Sequence, residues 1–380
     1  MTGIKCDVIK DGVASRNGLP SGIQPALGIS RKYIFGLDIA RAAAITLVIA
    51  SHYVHVAEPL GVAGVELFFV LSGYLVGGLF YRLIVIDGAR DIGEIFRFLQ
   101  RRWARTIPNY LLFLIIWMSV FPPLLGLKSV LPWLVFSQNL YHSQTVEFFG
   151  VAWSLSVEEW FYVIVPVAIF VATAIFGRPL VSTIFVILLT IVTCFSLRYL
   201  ATVTDANSQI RTVVIYRLDA LALGVAAAVV ADQWPSRWLA CSRLWFVALS
   251  LLLILSFALM EFKATISGPQ ASLLFLAFPI CSVILLAKLV TLQERAGGLS
   301  GVFAKSVKKI SHWTYSLYLV HMLVYLKMVD TQTYINAGFL GKVSFKVGAV
   351  ALTILLSAII YRRFEQPMLR LFSPKTYRAL

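Results

Sequence analysis

The sequence predicts an all-α polytopic membrane protein with about ten transmembrane helices and both termini in the cytoplasm. Three observations predict it. Of 380 residues, 59% are apolar and only 13% are charged, with a mean hydropathy of +0.84. That balance is too hydrophobic for a soluble domain, and the chain is too long for one buried core. The apolar residues gather into runs close to the roughly 20 residues that a helix needs to cross the hydrocarbon of a bilayer. Most of the 33 Lys and Arg residues fall on one side when both termini are placed inside, as the positive-inside rule requires.

The chain divides into a cytoplasmic tail over 1–32, a membrane domain over 33–372 and a short tail over 373–380. The tail before residue 33 has no apolar run suited to a signal peptide, so the first span is expected to remain uncleaved. The spans are expected near 35–55, 62–84, 106–127, 150–176, 180–203, 212–232, 243–262, 271–293, 311–329 and 343–361. The first, GLDIARAAAITLVIASHYVHV, runs outward and carries Arg41 and His52. The second, GVELFFVLSGYLVGGLF, contains Ser72-Gly73 and Gly77-Gly78, a pattern that permits close helix approach or local unwinding. The loop before the third span holds Arg97, Arg101, Arg102 and Arg105 and sets the orientation. The fourth begins GVAWSLSVEEWFYVIVP, the sixth YRLDALALG, and the ninth reads SHWTYSLYLVH. The terminal YRRFEQPMLRLFSPKTYRAL is too short to fold by itself.

The charge and cysteine patterns exclude other classes. The net charge of +15 is mostly the loop asymmetry plus attraction to anionic membrane lipid, which argues against nucleic-acid binding. Cys6, Cys194, Cys241 and Cys281 are scattered without C-x-x-C spacing, so neither a disulfide framework nor a metal site is expected. No G-x-S-x-G elbow, H-E-x-x-H, Walker loop or dinucleotide fingerprint is present.

Ionisable residues inside spans then mark the candidate site, because a charge in hydrocarbon is costly unless it faces a cavity or a partner. Arg41 and His52 are eleven residues apart, which returns a helix almost to the same azimuth and separates them by about 16 Å along the axis. Both therefore line one path. The plain alternative is that Arg41 snorkels to a head group and His52 sits at the interface. Trp153, Glu158 and Glu159 fall in the outer part of the inward-running fourth span, near the expected level of His52. Adjacent carboxylates project about 100° apart, so one at most readily faces a shared cavity. Arg217 and Asp219 enter the sixth span from outside, where they can bind a polar substrate or pair with those acids. His321 lies deep in the ninth, where hydrogen bonding between helices would also explain it. The layout suits a donor bearing phosphates at the cytoplasmic mouth, which arginine forks match well, and a hydroxyl acceptor at the other face.

Taken together, GLDIARAAAITLVIASHY, GVELFFVLSGYL, RRWARTIPNYLL, VAWSLSVEEWFY, YRLDALALG, SLYLVH and RRFEQPMLRL resemble the acyltransferase-3 family of integral membrane O-acyltransferases. The resemblance runs from about residue 33 to 372. It implies transfer of an acyl group, usually acetyl, from cytoplasmic acetyl-CoA to a sugar hydroxyl of a surface, secreted or lipid-linked glycan at a bacterial inner membrane. Membrane lipids, and glycan synthesis or export machinery, are the implied partners. In the family pattern the helix-one Arg and His match Arg41 and His52, the arginine pair matches Arg101 and Arg102, and the late acidic position matches Glu365. Several relatives carry a fused extracytoplasmic hydrolase-like domain. None follows here, so the chain is expected to act alone or to hand over to a partner.

The expected mechanism has His52, oriented by Glu158 or Glu159, as general base on the acceptor hydroxyl. Arg41, Arg101, Arg102 and Glu365 serve the donor, while Ser72, a backbone N–H or Arg41 steadies the carbonyl oxygen. Trp153, Arg217, Asp219 and His321 are the expected acceptor contacts. A covalent acyl-His52 intermediate is the variant. The competing class is a transporter, which also uses intramembrane His, Glu and Arg, but no second half echoes the first as transporter repeats would.

Overall fold

A computed structural model describes residues 33–372 except 58, 89–90, 123–125, 144–147, 202–205, 263–265 and 294–297. The two tails, 1–32 and 373–380, lie outside the described residues. Ten long helices carry the fold: α1 (Phe35–Tyr53), α2 (Leu60–Val85), α3 (Ile92–Val120), α4 (Ala152–Phe176), α5 (Pro179–Leu200), α6 (Leu218–Gln233), α7 (Pro235–Glu261), α8 (Gly268–Leu289), α9 (Gly298–Val329) and α10 (Phe339–Phe372). No strand occurs among the described residues. Seven of these helices are individually long and apolar enough to cross a membrane. The other three, α3, α6 and α9, correspond to expected spans and differ for visible reasons. α6 has 16 residues, while α3 and α9 open with basic turns containing Arg97, Arg101 and Arg102, or Lys305, Lys308 and Lys309.

Most corrections to the expected spans share one cause. Hydropathy registers only the lipid-immersed part of a helix, so α3 begins at Ile92 instead of 106, α9 at Gly298 instead of 311, and α10 continues to Phe372. The sixth span is shorter than expected, because Val214–Tyr216 forms a separate 3₁₀ turn before α6.

The molecule is apolar outside and partly polar within. Ile175, Leu188, Phe246, Ile254, Leu273 and Val347 are exposed on the outer faces of their helices, whereas Arg198 and Arg217 are among the largest fully buried side chains. This inversion is what a bilayer solvent demands. α1 packs between α2 and α9, α9 packs on α10, and α6 crosses α2 at a π-helical turn, Gly73–Gly77. The crossing is backbone against backbone. A Cβ at Gly73 would strike the carbonyl of Leu221, and one at Gly224 the carbonyl of Val70. The small residues of the second span thus supply both the close approach and the local widening that its sequence permits.

Between α3 and α4, a folded outer connection covers the bundle. Tyr110 donates to the carbonyl of Trp133 at 2.9 Å, and Phe136 and Phe149 stack on Tyr110 with centroids 4.4 and 5.4 Å away. Phe136 and Phe149 hold positive φ of 56° and 47°, a costly conformation for aromatic residues that their packing on Tyr110 offsets.

Candidate active site

α1, α2, α3, α4 and α9 enclose a cavity of about 350 Å³, within the range of small-molecule sites. Its basic end is walled by Arg41, Arg102 and Arg105. Its opposite end is walled by Ser154, Phe68 and Tyr318, and the middle by Ser72, Thr106, Tyr315 and Glu158. The spacing explains the convergence. Arg102, Arg105 and Thr106 are separated by three and four residues on α3 and so share a face, as do Thr314, Tyr315 and Tyr318 on α9.

At the basic end each cation is held differently. Asp38 accepts from Arg41 Nη1 at 3.3 Å, from Ser311 at 2.6 Å and from the Tyr33 hydroxyl at 2.6 Å, so Asp38 fixes Arg41 one turn from its own backbone. Arg102 donates to Glu158 at 2.5 Å, lies 3.6 Å from Glu159, and stacks 3.8 Å above the Tyr162 ring. Arg105 is exposed to the cavity and has no ion-pair partner among the described residues. An exposed guanidinium without a salt bridge, beside two that have one, is suited to binding an anion.

At the other end the Tyr318 hydroxyl donates to the carbonyl of Val151 at 3.1 Å and lies 2.6 Å from Ser154 Oγ. Behind Tyr318 comes His321, with centroids 5.6 Å apart, and then His52, 5.3 Å from His321. His52 also faces Tyr325 at 6.1 Å. A file of rings therefore joins the cavity to the half-buried histidine on the last turn of α1. On the α2 wall, Tyr162 donates to Ser72 Oγ at 2.9 Å, which keeps that hydroxyl beside the π turn.

The family model described as an acyltransferase domain matches residues 34–362, a span that contains every wall of this cavity. The chain belongs to the acyltransferase-3 family. It is 29% identical over 364 residues to the O-acetyltransferase OatA of Staphylococcus aureus, covering 89% of this chain and 58% of that protein. It is 29% identical over 323 residues to the peptidoglycan O-acetyltransferase OatA of Listeria monocytogenes, covering 77% and 49%. It is 26% identical over 369 residues to the putative peptidoglycan O-acetyltransferase YrhL of Bacillus subtilis, covering 89% and 55%. The chain thus spans between about half and three-fifths of the length of these relatives. No solved structure matches it.

Several residues expected at this site make contacts other than the expected ones. Glu158 and Glu159 are at the level of Arg102, one turn and more inward of Ser154, and their oxygens are taken by α3. Glu159 accepts from Trp103 Nε1 at 3.1 Å and Thr106 at 3.2 Å. The buried charges of α3 and α4 compensate each other, so the acids bind Arg102 in place of the expected His52. Arg101 turns out of the cavity and donates to the carbonyl of Arg97 at 3.1 Å. Glu365 is buried behind the wall, accepting from Ser316 at 2.6 Å and Asn109 at 3.3 Å, and ties α10 to α3 and α9.

The expected acceptor contacts also move. Arg217 pairs with Glu66 and is stacked against Phe275 and Phe69, 4.6 and 5.9 Å from their centroids. Asp219 pairs with Arg198 at 2.6 Å, and all four charges are fully or almost fully buried. They link α2, α5 and α6 away from the cavity. Trp153 packs edge-on against Phe69 at 5.9 Å, and Arg211 lies 5.7 Å over its ring. It borders a separate small cavity of about 90 Å³ beneath the outer connection. His321 is completely buried and off the cavity wall, so its contact is with His52 and not with a substrate in the cavity.

Sequence reading passed over Asp38 and Glu66 and gave Arg105 no separate role. Each had a signal. Asp38 stands three residues before Arg41, a helical pairing distance. Glu66 and Arg198 are the opposite charges that Arg217 and Asp219 require once buried.

Proposed function

We propose that the chain is a membrane O-acetyltransferase that moves an acetyl group from cytoplasmic acetyl-CoA to a sugar hydroxyl of a glycan at the outer face. The observation that carries this reading is the cavity, with Arg105 exposed and without a salt bridge among the described residues at its basic end, and a ring file leading from its far end to His52. Arg105, with Arg41 held ready by Asp38, attracts the donor's phosphates. The middle, lined by Leu75, Val76 and Tyr315, offers an apolar path for a pantetheine arm. The donor arm then runs toward the outer half of the bundle, the half in which His52 lies.

His52 takes the proton of the acceptor hydroxyl as its oxygen attacks the carbonyl carbon. The new C–O bond forms, the C–S bond breaks, and the proton leaves with the thiolate of CoA. Charge developing on the carbonyl oxygen needs a fixed donor, and the Ser72 hydroxyl, held on the cavity wall by Tyr162, is a candidate for that task. The named relatives from Staphylococcus and Listeria support acetyl as the group, and the latter supports a peptidoglycan-type acceptor.

The test supplies membranes or purified protein with radiolabelled acetyl-CoA and candidate glycans. Wild type is expected to label a glycan, and His52→Ala to lower transfer by at least about 100-fold. Transfer that survives His52→Ala overturns the assignment of the base. Uptake or export of a glycan without labelling in wild type would replace the enzyme by a carrier.

A further inference from the structure

We infer that the small cavity beneath the outer connection is a subsite for the acceptor glycan: hydroxyl groups on one edge of a sugar ring donate to the side-chain carbonyl oxygens of Gln138 and Asn139, against a wall that includes Trp133 and Trp153. The inference rests on the proposed transfer to a sugar hydroxyl and names where that sugar is held.

Its starting point is a pair of atoms that the packing leaves unexplained. Gln138 and Asn139 are only 8% and 1% exposed. Gln138 Nε2 donates to the carbonyl of Ala152 at 3.3 Å and to Ser156 Oγ at 2.5 Å. Asn139 Nδ2 donates to the carbonyls of Trp153 at 3.0 Å and Thr212 at 2.6 Å. Backbone carbonyls only accept, so the nitrogen of each amide is identified and its other terminal atom is an oxygen. The nitrogens tie the outer connection to the start of α4 and to the segment before α6, which is a structural task. The oxygens have none. Gln138 Oε1 and Asn139 Oδ1 are both buried with no hydrogen-bond donor among the described residues, a costly condition that a ligand's donors would relieve.

The cavity indicates the chemistry of that ligand. Both amides line its space of about 90 Å³, together with Trp133, Trp153, Gly150 and Thr212, and no charged side chain lines it among the described residues. The ligand is therefore neutral, brings hydrogen-bond donors, and presents C–H surface to indole rings. A sugar combines all three on one ring. At about 30 Å³ for each water the volume holds about three waters, so the edge of a ring enters and the remainder stays outside. Gly150 stands at the exposed rim, where a Cβ would meet nothing within 4 Å. The location also fits. Trp153 packs on Phe69 at 5.9 Å, and Phe69 and Ser154, the residue after Trp153, both line the donor cavity. A glycan seated here is one layer of side chains from the outer end of that cavity.

The experiment titrates purified protein in detergent with soluble peptidoglycan glycan strands by calorimetry, without acetyl-CoA, and then uses the same strands in the labelled acetyl-transfer assay. Gly150→Trp fills the rim from open space, and Gln138→Met keeps the side-chain length while removing the acceptor oxygen. Wild type is expected to bind the strands. Both variants are expected to weaken binding by at least about 10-fold, the cost of losing hydrogen bonds at a buried acceptor, and to raise the KM for the strands by a similar factor, with the KM for acetyl-CoA changed less than about twofold. O-methylated strands, which keep the rings but lack the donor hydrogens, should bind wild type at least about 10-fold more weakly.

Unchanged binding in Gly150→Trp, equal affinity for O-methylated strands, equal rises in both KM values, or no binding by wild type would each overturn the inference. Gln138→Met also removes the tie to Ala152 and Ser156, so if it fails to fold, Gly150→Trp, which breaks no contact, decides alone. The acetyltransferase reading fails separately, if wild type binds the strands without labelling them.

Discussion

Two arginines one turn apart illustrate how much depends on the partner of a charge. Arg102 neutralises two carboxylates and is stacked on Tyr162, whereas Arg105 faces the same cavity with no salt bridge among the described residues. Removing Arg102 leaves buried Glu159 and partly buried Glu158 uncompensated. Arg102→Ala should therefore cost about 3–5 kcal/mol of stability and be seen as loss of the monodisperse protein in detergent. Arg105→Ala should fold normally and raise the KM for acetyl-CoA about tenfold with little change in kcat, the signature of lost donor binding. Equal behaviour of the two variants would contradict the assignment. The sequence displays both arginines in one cluster and cannot rank them, because the ranking is made by acids more than fifty residues away on α4.

At the scale of elements, the decisive contact is the crossing of α2 and α6. Gly73 and Gly224 bring the two backbones together, and Ser72, immediately before the π turn that begins at Gly73, lines the cavity. A methyl group has no room at either position. Gly73→Ala and Gly224→Ala should each cost about 1–3 kcal/mol by overpacking, lower the melting temperature in detergent, and reduce transfer by displacing Ser72. Unchanged melting in both would mean that the helices cross less closely than described. The small residues and their two possible uses were legible in the second span, since both follow from the absence of a Cβ. The length of α3 and α9 was not, because their basic first turns leave the hydropathy signal while remaining helical.

For the whole molecule, the four buried charges Glu66, Arg217, Arg198 and Asp219 hold α2, α5 and α6 in one register. Such pairs are weak sources of stability, yet breaking one exposes its partner to hydrocarbon. Arg217→Met or Glu66→Gln alone should lose about 3–5 kcal/mol, and Arg217→Met with Glu66→Leu should recover most of it. Additive losses in thermal melts would show that the pair does not act as a unit. Sequence alone determined the class, the ten helical segments and the family, because composition, apolar run length and ordered motifs are local properties that a bilayer reads directly. It also drew attention to Arg41, which lines the cavity, and to His52 as a candidate, since ionisable groups in apolar segments stand out wherever they fold. Only the tertiary structure decided which charge meets which. It turned Arg217 and Asp219 into struts, drew Glu158 and Glu159 to Arg102, left Arg105 facing the cavity, and set His321 beside His52. Pairing in a low-dielectric interior is settled by distances of a few ångströms between helices, and a linear pattern of residues does not contain those distances.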